Sequence, residues 1–183
     1  MPKLKVPVSA NDHVRGKDGP ITLLEYGDYE CPFCGKAYPI LKEIEKHYDK
    51  QLRFVFRNFP LTQIHPFAEI AAETAEFAGA KGKFWEMHDL IYENQSRLSV
   101  PTLQELVETL GLSLDEYAEA IESQAFAAKV REDFLGGARS GVNGTPTLFL
   151  NGERFNGPAK FQPLVVAIDA LLQNRAEDPA FHS

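Results

Sequence analysis

The chain keeps its only two cysteines as near neighbours, Cys31 and Cys34, inside the stretch EYGDYECPFCGKAYP. A pair so placed is half of a metal site, a small structural staple, or a dithiol built to open and close. The flanking residues narrow what can carry it. Upstream, ITLLEY at 21–26 is a short apolar run with β-branched and aromatic residues, ended by Gly27-Asp28, the pattern of a buried strand. Downstream, Ala37, Leu41, Ile44 and Tyr48 recur at spacings of four and three, which predicts an amphipathic helix. Pro32 falls in its first turn, where proline is tolerated, and Pro39 falls inside it, where a kink is expected. LRFVFRNF at 52–59 reads as a second strand. Strand, helix and strand in succession imply parallel pairing through a right-handed crossover.

The remaining pattern divides the chain. Residues 1–19 are rich in Pro, Gly, Asn and charge and read as an extended or poorly ordered lead-in, with the fold beginning near Pro20. From Pro66 to Gly141 the chain is helical in four or five pieces. TLQE at 102–105 and SLDE at 113–116 read as capping boxes, and Gly111 parts those two helices. TPTLFL at 145–150, Asn151-Gly152 and ERFNG at 153–157 predict a hairpin, and Phe161 to Leu172 a closing helix. The expected organisation is thus a lead-in at 1–19, an α/β unit from 20–60 and 141–176, and a helical insertion at 61–140.

Composition excludes some partners. With 26 acidic against 19 basic residues the net charge is -7, which argues against nucleic acid or an anionic membrane, since phosphate binding needs clustered Lys and Arg. The N-terminus carries no continuous apolar run, so it reads as neither a secretory signal nor a membrane anchor. As written the chain is expected to be cytoplasmic, the alternative being an exported protein whose signal has been removed. One folding unit is expected from 183 residues of which 44% are hydrophobic. The chain is expected to be a monomer or only weakly associated.

In CPFC the first cysteine stands at the N-terminal edge of the predicted helix, where unpaired amides and the positive end of the dipole favour a thiolate. Cys34, about one turn on, is placed to attack a mixed disulfide formed at Cys31. Zinc would need two more ligands, and no two of His13, His47, His65, His88 and His182 stand at a finger-like spacing. A staple closing so short a loop constrains little. Glu25, a carboxyl inside an apolar strand, is expected to have a raised pKa and to relay a proton to or from Cys34; its alternative is a residue pointing outward. His65 before Pro66 reads as a local hydrogen-bonding residue, and the sole tryptophan, Trp85 in FWEMH, as core.

ECPFC, the strand-borne Glu25 six positions before Cys31, the helix-borne Pro39 and GTPT at 144–147 occur in one order along the chain. In that order they resemble the thioredoxin superfamily, and within it the DsbA-like thiol-disulfide oxidoreductases that carry a helical insertion. The resemblance implies a mixed central sheet flanked by helices, with a helical domain inserted between the second strand and the cis-proline loop. It assigns Cys31 as the exposed attacking thiol and Cys34 as the buried resolving thiol. Pro146 would be the cis-proline facing the pair, Thr145 would offer its backbone to a substrate strand, and Pro32 and Phe33 would meet that substrate. It implies exchange with protein or peptide thiols and disulfides, as oxidase, reductase or isomerase according to potential, with no metal or cofactor and a separate redox partner to reset the pair. The alternative is a redox-switched, chaperone-like peptide-binding module. Pro-Phe lacks the histidine of the best-known DsbA proteins, and Asp28 and Glu30 are expected to oppose a thiolate. If those acids lie near it, Cys31 should be depressed less than the about 3.5 of DsbA, and the poise should be intermediate.

Overall fold

A computed structural model describes residues 2–16 and 18–176. Its elements are β1 (His13–Arg15), β2 (Ile21–Gly27), α1 (Pro32–Tyr48), β3 (Leu52–Asn58), α2 (Ala68–Ala80), α3 (Phe84–Glu93), α4 (Val100–Thr109), α5 (Leu114–Glu122), α6 (Ala127–Arg139), β4 (Thr147–Leu150), β5 (Glu153–Phe155) and α7 (Phe161–Ala176). The strands form one mixed sheet in the order β1-β3-β2-β4-β5. β2 and β3 run parallel, joined by α1, while β4 runs antiparallel to β2 and β5 antiparallel to β4. The β4–β5 turn is Asn151-Gly152, both at positive φ, as that dipeptide favours.

The period of two in β2 decides what faces the site. Ile21 and Leu23 join the larger core with Leu52, Phe54 and Phe56, beneath Leu41 and Ile44 of α1 and Leu164 and Ile168 of α7. Leu24 and Tyr26 face the other way, into a smaller core with Val55, Phe59, Val142 and Phe149. Glu25 shares the parity of Ile21 and Leu23, so it is carried to the α1 side of the sheet. Its neighbours in register are Phe56 on β3 and Leu148 on β4.

The sheet begins earlier than Pro20. β1 pairs antiparallel with β3 at its outer edge, Lys3 bridges to Glu153, and Leu4 N donates to Gly152 O at 2.8 Å. One buried cation holds this segment. Arg57 donates to both carboxylate oxygens of Asp12 at 2.7 and 2.9 Å, to the Val6 and Pro7 carbonyls, and to the Tyr26 hydroxyl. Both partners of the ion pair are nearly closed to solvent, with side chains 3% and 4% exposed. Arg57→Ala should therefore cost ~3–5 kcal/mol, because it strands a buried carboxylate. A lower urea midpoint with the slope unchanged would show it.

The helical stretch has one boundary that differs from expectation. Thr102 does not cap a helix: α4 starts earlier, with Ser99 as N-cap accepting from Thr102 N and a proline in the first turn. The Thr102 hydroxyl instead donates to Arg97 O at 2.7 Å. Ser-Val-Pro is the stronger start signal, since Ser caps and Pro suits the first turn. Of the second box only the serine half forms: Ser113 accepts from Glu116 N, while the Glu116 carboxylate accepts from Lys81 at 2.6 Å. Gly111, at φ +68, ends α4 with Leu112 N donating back to Val107 O.

Candidate active site

Cys31 is the N-cap of α1 and Pro32 opens its first turn. The β2–α1 loop is pinned from several sides. Asp28 accepts from Glu30 N, Leu61 N and His65 Nδ1 at 2.7–2.9 Å, and Glu30 accepts from Phe67 N at 2.6 Å. Both carboxylates are thus engaged with the loop and helix start after β3. His65, expected to bond locally, instead reaches 37 positions back to Asp28, whose own amide donates to the Cys34 sulfur at 3.5 Å. Gln95, in the turn after α3, donates through Nε2 to Tyr29 O and Cys31 O at 2.8 and 2.9 Å. A Cβ on Gly35 would meet Gln95 Oε1 at 2.0 Å, so the glycine is what lets this amide reach the loop. Beneath the loop the Tyr29 hydroxyl pairs with His88 Nδ1 at 3.0 Å, and burial pushes the His88 pKa well down. Trp85 packs at the core rim with the Arg15 guanidinium 4.4 Å from its ring centre.

The structure brings Cys31, Cys34, Glu25, Thr145 and Pro146 into one neighbourhood. The Thr145–Pro146 peptide is cis, and the Cys31 thiol lies 3.4 Å from Thr145 O. Cys31 is far less open than expected of an attacking thiol, at 4% exposure, and Cys34 is fully buried. The correction has a physical cause: the Thr145 carbonyl stands against the sulfur while Gln95 and Gly35 N hold the Cys31 carbonyl in place. Phe33, 66% exposed, lines a groove of about 570 Å³ together with Thr145 and Pro146. Pro32 is exposed nearby and does not line that groove.

The two sulfurs are electrostatically unlike. The Cys34 thiol donates to the Cys31 sulfur, and this contact leads the forces that pull the Cys31 pKa down to about 5. Desolvation opposes it, while the Thr145 side chain and the backbone amides of Cys34 and Phe33 assist, so the helix start contributes as expected. Burial pushes Cys34 well up, helped by the hydrogen bond it gives to Cys31 and by the Glu25 charge. Glu25 is 2% exposed, and its Oε1 has no hydrogen-bond partner among the described residues. Burial, then the charges of Glu45 and Cys31, push its pKa up to about 8. Both cysteines are free thiols. Among the described residues no group of three or more His, Cys, Asp or Glu is placed to hold a metal; His182 lies outside them.

With this geometry the class is defined. A family model described as Thioredoxin matches residues 9–170, and the chain belongs to that family. Within it the architecture is DsbA-like. The oxidised crystal structure of BdbD from Bacillus subtilis superimposes with a TM-score of 0.81 at 23% identity, covering 91% of this chain and 96% of that one. The alpha-DsbA1 of Wolbachia pipientis gives 0.79 at 19% identity, covering 93% and 95%. The curated relatives carry another name. The Na(+)/H(+) antiporter NhaA 1 of Salinispora arenicola is 44% identical over 167 residues, 90% of this chain and 26% of that protein. Its namesake in Mycobacterium sp. (strain KMS) is 37% identical over 162 residues, 87% and 26%. The chain spans about a quarter of the length of these relatives, and no helix among its described residues is long and apolar enough to cross a membrane.

Proposed function

We propose that the chain is a thiol-disulfide oxidoreductase acting on protein or peptide substrates through Cys31 and Cys34. The observation that carries this is the placement of the two sulfurs: Cys31 caps α1 3.4 Å from the carbonyl that precedes cis-Pro146, and Cys34, one turn on, is fully buried, which draws the Cys31 pKa down to about 5 and pushes Cys34 well up. A low pKa makes Cys31 both a thiolate near neutral pH and a good leaving group.

In the oxidising direction a substrate thiolate attacks the Cys31 sulfur of the Cys31–Cys34 disulfide, the S–S bond breaks, and Cys34 leaves as a thiolate. Glu25, protonated below about pH 8, supplies the proton that Cys34 holds so strongly. A second substrate thiolate then attacks its partner sulfur in the mixed disulfide, and Cys31 departs as the stable thiolate. Two electrons pass from the substrate dithiol to the protein, and a separate redox partner removes them. Run backwards, the same steps reduce a substrate disulfide, with Glu25 first releasing its own proton to solvent and its carboxylate then accepting the Cys34 proton. Thr145, Pro146 and Phe33 flank the mixed disulfide and hold the substrate backbone there.

Alkylation tests the split directly. In the reduced protein the rate of Cys31 modification by iodoacetamide should rise through a midpoint near pH 5, while Cys34 stays unmodified up to pH 8. A midpoint near the ordinary thiol value of 9.0, or equal labelling of both cysteines, would overturn the assignment.

A further inference from the structure

The groove beside the thiol pair has a charge unlike that of the chain around it. One wall is the first turns of α1, with Phe33, Lys36 and Ile40, and the other is the β4–β5 hairpin and the loop that follows, with Arg154, Phe155 and Lys160. Three cations line it and no carboxylate does, although acidic residues outnumber basic ones 26 to 19 in the sequence. Nor are these cations neutralised. None of the three is ion-paired among the described residues: Lys36 sits 5.7 Å from the Phe33 ring centre, and Arg154 donates to the Gly141 carbonyl at 2.8 Å. Lys36 and Lys160 are exposed on the rim. The nearest acid in sequence, Glu153, is drawn off to Lys3 at 3.8 Å.

An apolar floor with an uncompensated positive rim selects by sign. A segment that lays a cysteine against Cys31 must run its flanking residues along this groove, where Phe33, Ile40 and Phe155 offer apolar contact and the three cations offer charge. Elsewhere the net negative protein repels acidic chains, so the positive groove also orients them on approach. We propose that the substrates are acidic segments: a cysteine flanked, a few residues away, by Asp or Glu interspersed with aliphatic side chains. The inference rests on the exchange reading above and specifies what that site takes.

The test uses two reduced peptides, each with two cysteines, identical except that glutamates three and four positions outside the cysteines in one are lysines in the other. That spacing keeps the charges away from the reacting thiols. Oxidised protein should oxidise the acidic peptide about tenfold faster at low salt. The gap should close between about 20 mM and about 500 mM salt, as the charges are screened. The triple variant K36E/R154E/K160E should reverse the order, and the milder Lys160→Gln should shrink the ratio. Equal rates, a faster lysine peptide, or an order unchanged in the triple variant would overturn the inference. Uncharged dithiothreitol is the control for the chemistry. Prompt reduction by dithiothreitol without a peptide preference sinks only the acidic-segment inference, whereas no reduction by dithiothreitol or either peptide removes the exchange reading and this inference with it.

Discussion

Cys31→Ser should lower the rate of disulfide exchange with a peptide substrate by at least about a thousandfold, because the serine hydroxyl offers no thiolate and forms no disulfide with Cys34. Cys34→Ser should behave differently. It leaves the Cys31 sulfur able to capture a substrate but removes the group that resolves the mixed disulfide, so the covalent complex should accumulate and be visible on a non-reducing gel. Cys34→Ala, which unlike serine leaves no donor at that position, should also raise the Cys31 pKa from about 5, since the Cys34 hydrogen bond is the leading cause of its depression. The pair of outcomes separates exchange from the redox-switched binding module. A binding module would hold peptide equally well in both variants and trap nothing.

The second large effect belongs to Glu25. Burial raises its carboxyl from 4.5 to about 8, so between those values the folded protein keeps a proton that the unfolded chain has lost. Fewer protons are bound by the unfolded state, and stability therefore falls as pH rises from about 4.5 to about 8. The slope from this one group is about 1.4 kcal/mol per pH unit, on the order of 5 kcal/mol over the interval. Oxidised protein is the form to measure, because Cys31 then carries no titrating proton. Its share of the shift disappears with its charge, while burial, the leading cause, and the Glu45 charge remain. Glu25→Gln should flatten this part of the profile, so that variant and wild type diverge steadily towards pH 8. Parallel profiles would mean that Glu25 is ionised in the fold, and its part as proton donor to Cys34 would fail. The variant should also slow release of Cys34 from the disulfide below pH 8, where wild-type Glu25 still holds its proton.

How much of this could be read from the sequence follows from the range of each interaction. The strands β2 and β3, α1 opening at Pro32, and the Asn151-Gly152 turn are each set by residues within a few positions of one another, and the parallel pairing follows from the order strand, helix, strand. Glu25 was legible for the same reason: an acid at the odd position of an apolar strand shares the face of Ile21 and Leu23. β1 was not. Three residues, His-Val-Arg, carry no periodicity, and what makes them a strand is the edge of β3 together with Arg57, which reaches Asp12 from 45 positions away. Thr102 misled because Thr-Leu-Gln-Glu has the form of a capping box, while the helix had already started on Ser99. The closed setting of Cys31 depends on Thr145, 114 positions along the chain, and on Gln95, 64 along. The groove cations are dispersed at 36, 154 and 160, so their shared location becomes visible only in three dimensions.

The name of the curated relatives bears on the chain in one way. Its match covers only about a quarter of each antiporter, and the dithiol geometry stands on its own residues. Holding Cys31 near 5 against an ordinary 9.0 stabilises the reduced form at pH 7 by on the order of 3 kcal/mol, which raises the potential by on the order of 60 mV over an unperturbed thiol. The reduction potential of the Cys31–Cys34 pair is therefore the measurement closest to the central claim, made by equilibrating the protein against glutathione buffers and counting free thiols. A single reversible two-electron transition between about -270 and about -120 mV is expected, since a Cys31 pKa near 5 falls between those of thioredoxin and DsbA, which mark these limits. If no disulfide forms at any glutathione ratio, the pair does not exchange, and the function assigned to this site is wrong.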